Sequence, residues 1–274
     1  MATSNNLGDL LTSVADAIRA KNGTTASINA QAFPSAIMAI PSSGVVLDDI
    51  TRSLINKTIV SINANNTIVR RALFYSCLTL QTASFPACTR IKTIAFQYCS
   101  ALTTISFPVC EYIEQDAFAA CSKLMAASFP SCSYLESYIF QSCLNLRSAS
   151  FPICTRIGQY AFSGCRALTD ISFPKCTRIE SNAFRSCTIL QTASFPECTY
   201  IGSYAFVSCN RLSYLYLTGS TVCTLASSNA FSSTPIATNI YGGYYGSIYV
   251  PASLLATYKT ATNWSQFAAR FVGI

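Results

Sequence analysis

The chain has 274 residues, 51% of them hydrophobic and only 11% charged, so it is no disordered segment. Its formal net charge of +7 is scattered along the chain rather than gathered in a patch, which argues against a nucleic-acid partner. No apolar run approaches the roughly 20 residues of a membrane-spanning helix, so membrane insertion is not expected.

The first residues, Met1 to Asn6, lack the basic and apolar regions of a signal peptide. The expectation is a chain that stays inside, leaves by another route such as a phage particle, or has lost a leader. Residues 4–22 predict a helix. Leu7, Leu10, Leu11, Val14, Ala15 and Ile18 form one apolar stripe, Asn5 or Asn6 can cap its start, and Gly23 lies just past its end. A shorter helical piece is expected over Ala32–Ile40. This segment, 1–41, reads either as a cap over the first repeat or as an assembly helix that joins a particle or a homo-oligomer. Pro41-Ser42-Ser43-Gly44 is a joint.

From residue 45 to 217 the chain repeats itself. Residues 45–72 form a degenerate first copy, in which Ile59 to Ile62 alternates like a strand. After it the period is 22 residues: Phe74, Phe96, Phe118, Phe140, Phe162, Phe184 and Phe206 share one phase. Leu80 to Leu212 share another, and Phe-Pro follows serine in six copies, from Phe85-Pro86 to Phe195-Pro196. A fixed period of this length means a solenoid, in which each copy buries its apolar face on its neighbours. Within a copy, Leu102, Ile105 and Phe107 are expected to point inward and Thr104 and Ser106 outward, with Pro108 ending the strand. Ile113, Ala117 and Phe118 form a second apolar set, on a short helical turn or a second short strand.

Thirteen of the fourteen cysteines fall in two periodic rows, with Cys223 outside them. Stacked strands bring equivalent residues about 5 Å apart, but their Cβ vectors are parallel and inward. The thiols therefore read as small buried hydrophobes rather than as disulfides. With no histidine and no C-x-x-C, no zinc site is expected, and no other metal or cofactor.

After Leu217 the period breaks. Residues 218–274 read as a C-terminal cap, with a loop at Tyr241–Gly246, a strand at Ser247–Val250, a helix from Ala252 to Thr260 opened by Pro251, and Trp264, Phe267 and Phe271 as anchors.

The copies resemble the BspA-like leucine-rich repeats of bacterial surface proteins, with the motif L-x-x-I-x-F-P-x-C-x-x-I-x-x-x-A-F-x-x-C over roughly residues 55–217. The resemblance implies a right-handed leucine-rich-repeat solenoid of β or mixed α/β type. It also implies adhesion-like roles, an extracellular, cell-surface or virion-associated location, and no shared catalytic centre. Leu10 to Thr24 resembles the head of tail-associated proteins from phages and prophages of gut bacteria.

Little in the chain supports catalysis. Without histidine, a Ser-His-Asp or Cys-His arrangement is excluded. Glu111, Glu114, Asp116 and Glu136 occupy loop-like places where solvated carboxylates are expected. Gly242-Gly243 lacks the lysine of a P-loop, and no EF-hand loop is present.

Two exposed rows remain. One runs along the strand face, from Ser84 through Ser194 to Tyr216, flanked by Thr82, Thr104, Ala126, Ser148, Asp170, Thr192 and Tyr214. It is either what a curved face tolerates or a platform for a sugar or peptide. The other comprises Arg90, Tyr112, Tyr134, Arg156, Arg178 and Tyr200. It is either a self-stacking ladder or the contact for an acidic glycan or protein partner. The aromatic loop with Tyr241, Tyr244 and Tyr245 is a secondary candidate, as are Tyr214 and Tyr216. The expected function is a non-catalytic binding or adhesion module. The alternative is a structural or tail-associated assembly protein.

Overall fold

A computed structural model describes residues 60–237 and 245–274. The expected helices at 4–22 and 32–40, the joint at 41–44, most of the degenerate first copy, and Tyr241 and Tyr244 lie outside the described residues.

The described chain is a parallel β-solenoid. Each coil contributes a three-residue strand and a two-residue strand. The two-residue strands, from Ile68–Val69 to Thr224–Leu225, form one eight-stranded parallel sheet. The three-residue row runs in shorter sheets of three, two and five strands, and its last sheet continues past Leu217 into Ser247–Val250 and Phe271–Gly273. The register keeps the sequence period, with Thr82 beside Thr104 and Ile91 beside Ile113. Because every coil meets a copy of itself, one residue type per phase satisfies both neighbours.

The core is a herringbone of phenylalanines. In one column, Phe74, Phe96, Phe118, Phe140 and their successors stack at centroid distances such as 5.0 Å and 5.1 Å. In the second, Phe85, Phe107, Phe129 and their successors stack at distances such as 5.3 Å. Between columns the rings meet tilted or edge-on, at 5.9–6.2 Å. Both geometries suit the ring quadrupole, and each such pair adds about 0.5–1.5 kcal/mol beyond area burial.

The second half of each coil holds the second short strand, one of the two expectations, and then a run of turns that becomes a short 3-10 helix, Ser228–Phe231, in the last coil. In the first such run, the N–H groups of Leu73, Tyr75 and Cys77 donate back to Arg70, Ala72 and Phe74. Those of Ala72, Phe74 and Ser76 donate across to Thr93, Ala95 and Gln97 of the next coil, at 3.2, 2.8 and 2.8 Å. A helix would turn every N–H onto its own segment and leave none to reach the neighbour. The alternation puts two residues per coil in the left-handed region, four apart: Asp116 and Ala120 (φ 59° and 60°), Tyr138 and Ser142, Tyr160 and Gly164, and so on. That region costs an L-residue roughly 1–2 kcal/mol. The cost is offset by the cross-coil hydrogen bonds.

All fourteen cysteines are buried with free thiols. In one row the S–H of Cys99 donates to the Phe74 carbonyl of the preceding coil (3.0 Å), and the pattern recurs to Cys209 on Phe184. In the other row, thiols such as Cys154 donate to the carbonyl two residues on (3.2 Å). Cysteine thus fills a small apolar site while supplying a weak donor to a carbonyl. Burial pushes the Cys77 and Cys154 thiols up to about 11, and those of Cys132 and Cys143 to about 12.

At the C-terminal end, the last two-residue strand has an edge that no further strand among the described residues covers. Side chains close it. The Tyr258 hydroxyl accepts from the Cys223 N–H (2.9 Å), Trp264 Nε1 donates to the Cys223 carbonyl (2.6 Å), and Asn263 Nδ2 donates to the Leu225 carbonyl (2.8 Å). Tyr258 stands on the helix Leu255–Thr260, and Trp264, Phe267 and Phe271 are buried beside it.

Candidate binding face

The two-residue strands align Arg90, Tyr112, Tyr134, Arg156, Arg178 and Tyr200 in one column. Arg90 registers with Tyr112, Arg156 with both Tyr134 and Arg178, and Arg178 with Tyr200. In each strand the next residue, such as Ile157, points into the core. Period-two alternation therefore sends the long side chain outward. Two cation–π pairs form along the column, with Arg90 4.6 Å from the Tyr112 ring centre and Arg178 3.8 Å from that of Tyr200.

The sequence reading missed the carboxylates that thread this column. Glu114, Glu136 and Glu180 lie two residues after stripe positions. Glu180 is 8% exposed, and its Oε1 accepts from Arg156 Nε (3.0 Å) and Arg178 Nε (2.7 Å). Glu114 accepts from Lys92 Nζ (2.8 Å) and from the Thr93 N–H (3.1 Å). Glu136 accepts from the Tyr134 hydroxyl (2.9 Å) and the Gln115 N–H (2.8 Å). The expectation that Glu114 and Glu136 are simply solvated is corrected: each is half-buried and bridges two coils.

The electrostatics follow from these contacts. Burial works to raise the Glu180 carboxyl, but the hydrogen bonds and charges of Arg178 and Arg156 outweigh it and hold it below its ordinary 4.5. At Glu114, burial is likewise outweighed by Lys92 and Thr93. Burial and the bond to Glu136 raise the Tyr134 phenol. The four cations Arg90, Lys92, Arg156 and Arg178 face three carboxylates, so the stripe is nearly charge-balanced. Arg156 and Arg178 still keep 55% and 44% of their side chains exposed.

At mid-stripe, Gly158 takes the place that Glu136 and Glu180 hold in the adjacent coils. A Cβ there would lie 2.6 Å from the backbone C and O of Glu136, so the close approach of the coils requires glycine. Its missing side chain leaves a depression of about 270 Å³, lined by Gln115, Tyr134, Leu135, Glu136, Ser137, Arg156 and Gly158.

The serine row lies on the opposite strand of each coil and carries a single charge, Asp170, among the outward residues of Thr82–Ser84 to Thr192–Ser194. It ends on aromatic residues. Tyr216 stacks on Tyr249 at 4.6 Å, and Tyr214 lies 6.4 Å from Tyr249. Tyr249 was legible as a strand residue but not as the partner of Tyr216, because 33 residues separate them instead of the period of 22. Tyr245 lies under the Arg270 guanidinium, 3.3 Å from its ring centre. Among the described residues no group of three or more Cys, Asp or Glu is placed to hold a metal ion. No helix among them is long and apolar enough to cross a membrane.

The model of the BspA-type leucine-rich repeat region, of six copies, matches residues 52–147 and 133–248. The chain belongs to the BspA-type leucine-rich repeat family. No curated protein matches it. The chain is similar in fold to a leucine-rich cell surface protein from Faecalibacterium prausnitzii, at 23% identity and a TM-score of 0.52, over 64% of this chain and 59% of that one. It thus spans about three-fifths of the Faecalibacterium protein. A leucine-rich repeat protein from T. pallidum aligns at 22% identity with a TM-score of 0.47, over 66% of this chain and 78% of that one. One from Bacteroides ovatus aligns at 20% and 0.46, over 70% and 57%. The matched family is one of leucine-rich repeats, and no enzyme family is indicated.

Proposed function

We propose that this BspA-type repeat protein is a non-catalytic binding module that engages a protein or glycan partner through the Arg/Tyr stripe, centred on the depression between Tyr134 and Arg156. The observation that carries this reading is the column itself. Six long side chains of the types enriched at binding hot spots stand in register, held by a buried carboxylate and cation–π contacts, with Arg156 and Arg178 half exposed. Such side chains lose little further freedom on binding. The threading glutamates turn the expected purely acidic partner into one of mixed polarity, because a polyanion must compete with Glu180 for both arginines. Adhesion at a cell surface accords with the family and with the Faecalibacterium neighbour, itself described as a cell surface protein.

The test is an array of host glycans and matrix proteins probed with wild type and with Tyr134→Ala/Arg156→Ala/Arg178→Ala. Loss of a saturable wild-type hit, with the circular dichroism unchanged, supports the stripe. Equal binding by the variant removes it. The assembly reading rests on the sequence of Leu10 to Thr24. It predicts that deleting residues 1–41 abolishes incorporation into a particle, whereas the binding reading predicts that the deletion leaves target binding intact.

A further inference from the structure

The turn face carries tyrosines that the stripe does not use. Tyr98, Tyr138, Tyr160 and Tyr204 all sit in the left-handed region, with φ of 63°, 62°, 55° and 58°. The same phases elsewhere hold Asn182, Asp116 and Gly164, which accept this backbone more readily, together with Ile94 and the small residues Ala72, Ser76, Ala120, Ser142, Ser186 and Ser208. A bulky aromatic residue there is an outlier that the fold does not ask for. These rings lie outside the core: Tyr98 and Tyr204 are 46% and 43% exposed, Tyr75 beside Tyr98 is 37% exposed, and Tyr138 and Tyr160 are half-buried. They gather in stations along the axis. Tyr75 meets Tyr98 edge-on at 5.6 Å, and Tyr138 lies parallel to Tyr160 at 5.0 Å. Tyr204 is held by Asn229 Nδ2 on its hydroxyl (3.3 Å). From the coil of Tyr75 to that of Tyr204 is six steps, about 29 Å at the strand spacing of about 4.8 Å.

We propose that these turn-face tyrosines, centred on the Tyr138–Tyr160 pair, are a contact surface for a neutral glycan laid along the solenoid axis. Three features select that class. The turns 137–142 and 159–164 contain no charged residue, and the turns on either side carry one charge of each sign, Asp116 and Arg185, so no net charge there favours an ionic partner. Around the ring pair they offer amides and hydroxyls, Gln141, Ser142 and Gln159, which pair with sugar hydroxyls while C–H faces pack on the rings. The stations repeat along one direction, as an extended chain of like units requires, and rigid aromatic side chains lose little entropy on contact. The pair follows Ser137 and Gly158 of the depression by one and two residues, so a glycan on it runs beside the stripe without using its arginines.

The test is affinity electrophoresis of the full chain in gels containing mannan, β-glucan, xylan or galactan, with polygalacturonate as the acidic control. The expected result is retardation by at least one neutral polysaccharide, unchanged by added salt and absent with polygalacturonate. Tyr138→Asn/Tyr160→Asn keeps a residue tolerant of the backbone and should weaken retention at least about tenfold. The corresponding phenylalanine variant should retain it, and Arg156→Ala/Arg178→Ala should leave it intact. If the asparagine pair variant fails to fold, Tyr98→Asn/Tyr204→Asn, at exposed positions, decides by the same loss. Retardation by none of the four, undiminished retention in the asparagine variants, or equal loss in the phenylalanine variant would overturn the proposal. Loss in the arginine variant alone would overturn it too, while leaving the stripe in force.

Discussion

Ala120 and Gly164 occupy the same place in the turn two coils apart, and exchanging their side chains isolates the cost of the left-handed backbone. Ala120 has φ 60° and Gly164 φ 76°. A methyl group on Gly164 meets Ser142 Cα and Oγ at 3.6 Å, ordinary contact distances, so Gly164→Ala adds no clash. The left-handed region costs an L-residue roughly 1–2 kcal/mol, and alanine recovers about 0.5–1 kcal/mol through its smaller unfolded-state entropy. Gly164→Ala should therefore lose about 0.5–1 kcal/mol, and Ala120→Gly should gain about as much. Because the two positions lie two coils apart, about 10 Å at the strand spacing, the double variant should return close to wild type. Thermal unfolding followed by circular dichroism reads this as shifts of about 1–4 °C in opposite directions. Gly158→Ala is the control. Its φ is not left-handed, but its Cβ would sit 2.6 Å from the Glu136 backbone, so it should lose more than Gly164→Ala. Shifts of the same sign for the two exchanged residues, or a harmless Gly158→Ala, would refute this account of the turns.

Further outcomes concern the thiols, the cap and the stripe. The cysteines should resist alkylation in the native state and react, all fourteen, only on unfolding. The Cys77 and Cys154 thiols at about 11 and those of Cys132 and Cys143 at about 12, against an ordinary 9.0, mean that the stability these four contribute is full below pH 9 and falls as pH rises towards 12. Each such thiol costs about 1.4 kcal/mol per unit above 9, so Cys77, Cys132, Cys143 and Cys154 together remove about 5 kcal/mol by pH 10, visible as a lowered urea midpoint. Tyr258→Phe leaves the Cys223 N–H without its acceptor and should cost about 1–3 kcal/mol in urea unfolding. Glu180→Gln should release Arg156 and Arg178 and delay elution from a heparin column. The carboxyls of Glu114 and Glu180 are held below their ordinary 4.5, so their contribution is present at neutral pH and is lost as pH falls below about 4.5, which acid titration of the melting temperature would show.

The period was legible because each coil packs on its own copy. The phases of phenylalanine, leucine and cysteine therefore had to repeat, and the inward and outward faces of strands such as Thr104–Ser106 followed from alternation. The turns were not legible. Their left-handed positions hold Tyr138, Ile94 and Ala120 instead of glycine, so the usual signal is absent. The stripe was visible as a row of residue types, but its electrostatics were not. Whether Glu180 is solvated or clamps two arginines depends on side chains reaching in from Arg156, 24 residues away, and that reach is set by stacking distance rather than by local pattern.

The most direct test of the stripe is chemical footprinting on the complex with whichever array partner is captured. Arginine is probed with phenylglyoxal and tyrosine with iodine, with and without that partner. Protection concentrated at Arg156, Arg178 and Tyr134 is the predicted result. Protection confined to the serine-bearing strands, with those three residues as reactive as in the free protein, would contradict it.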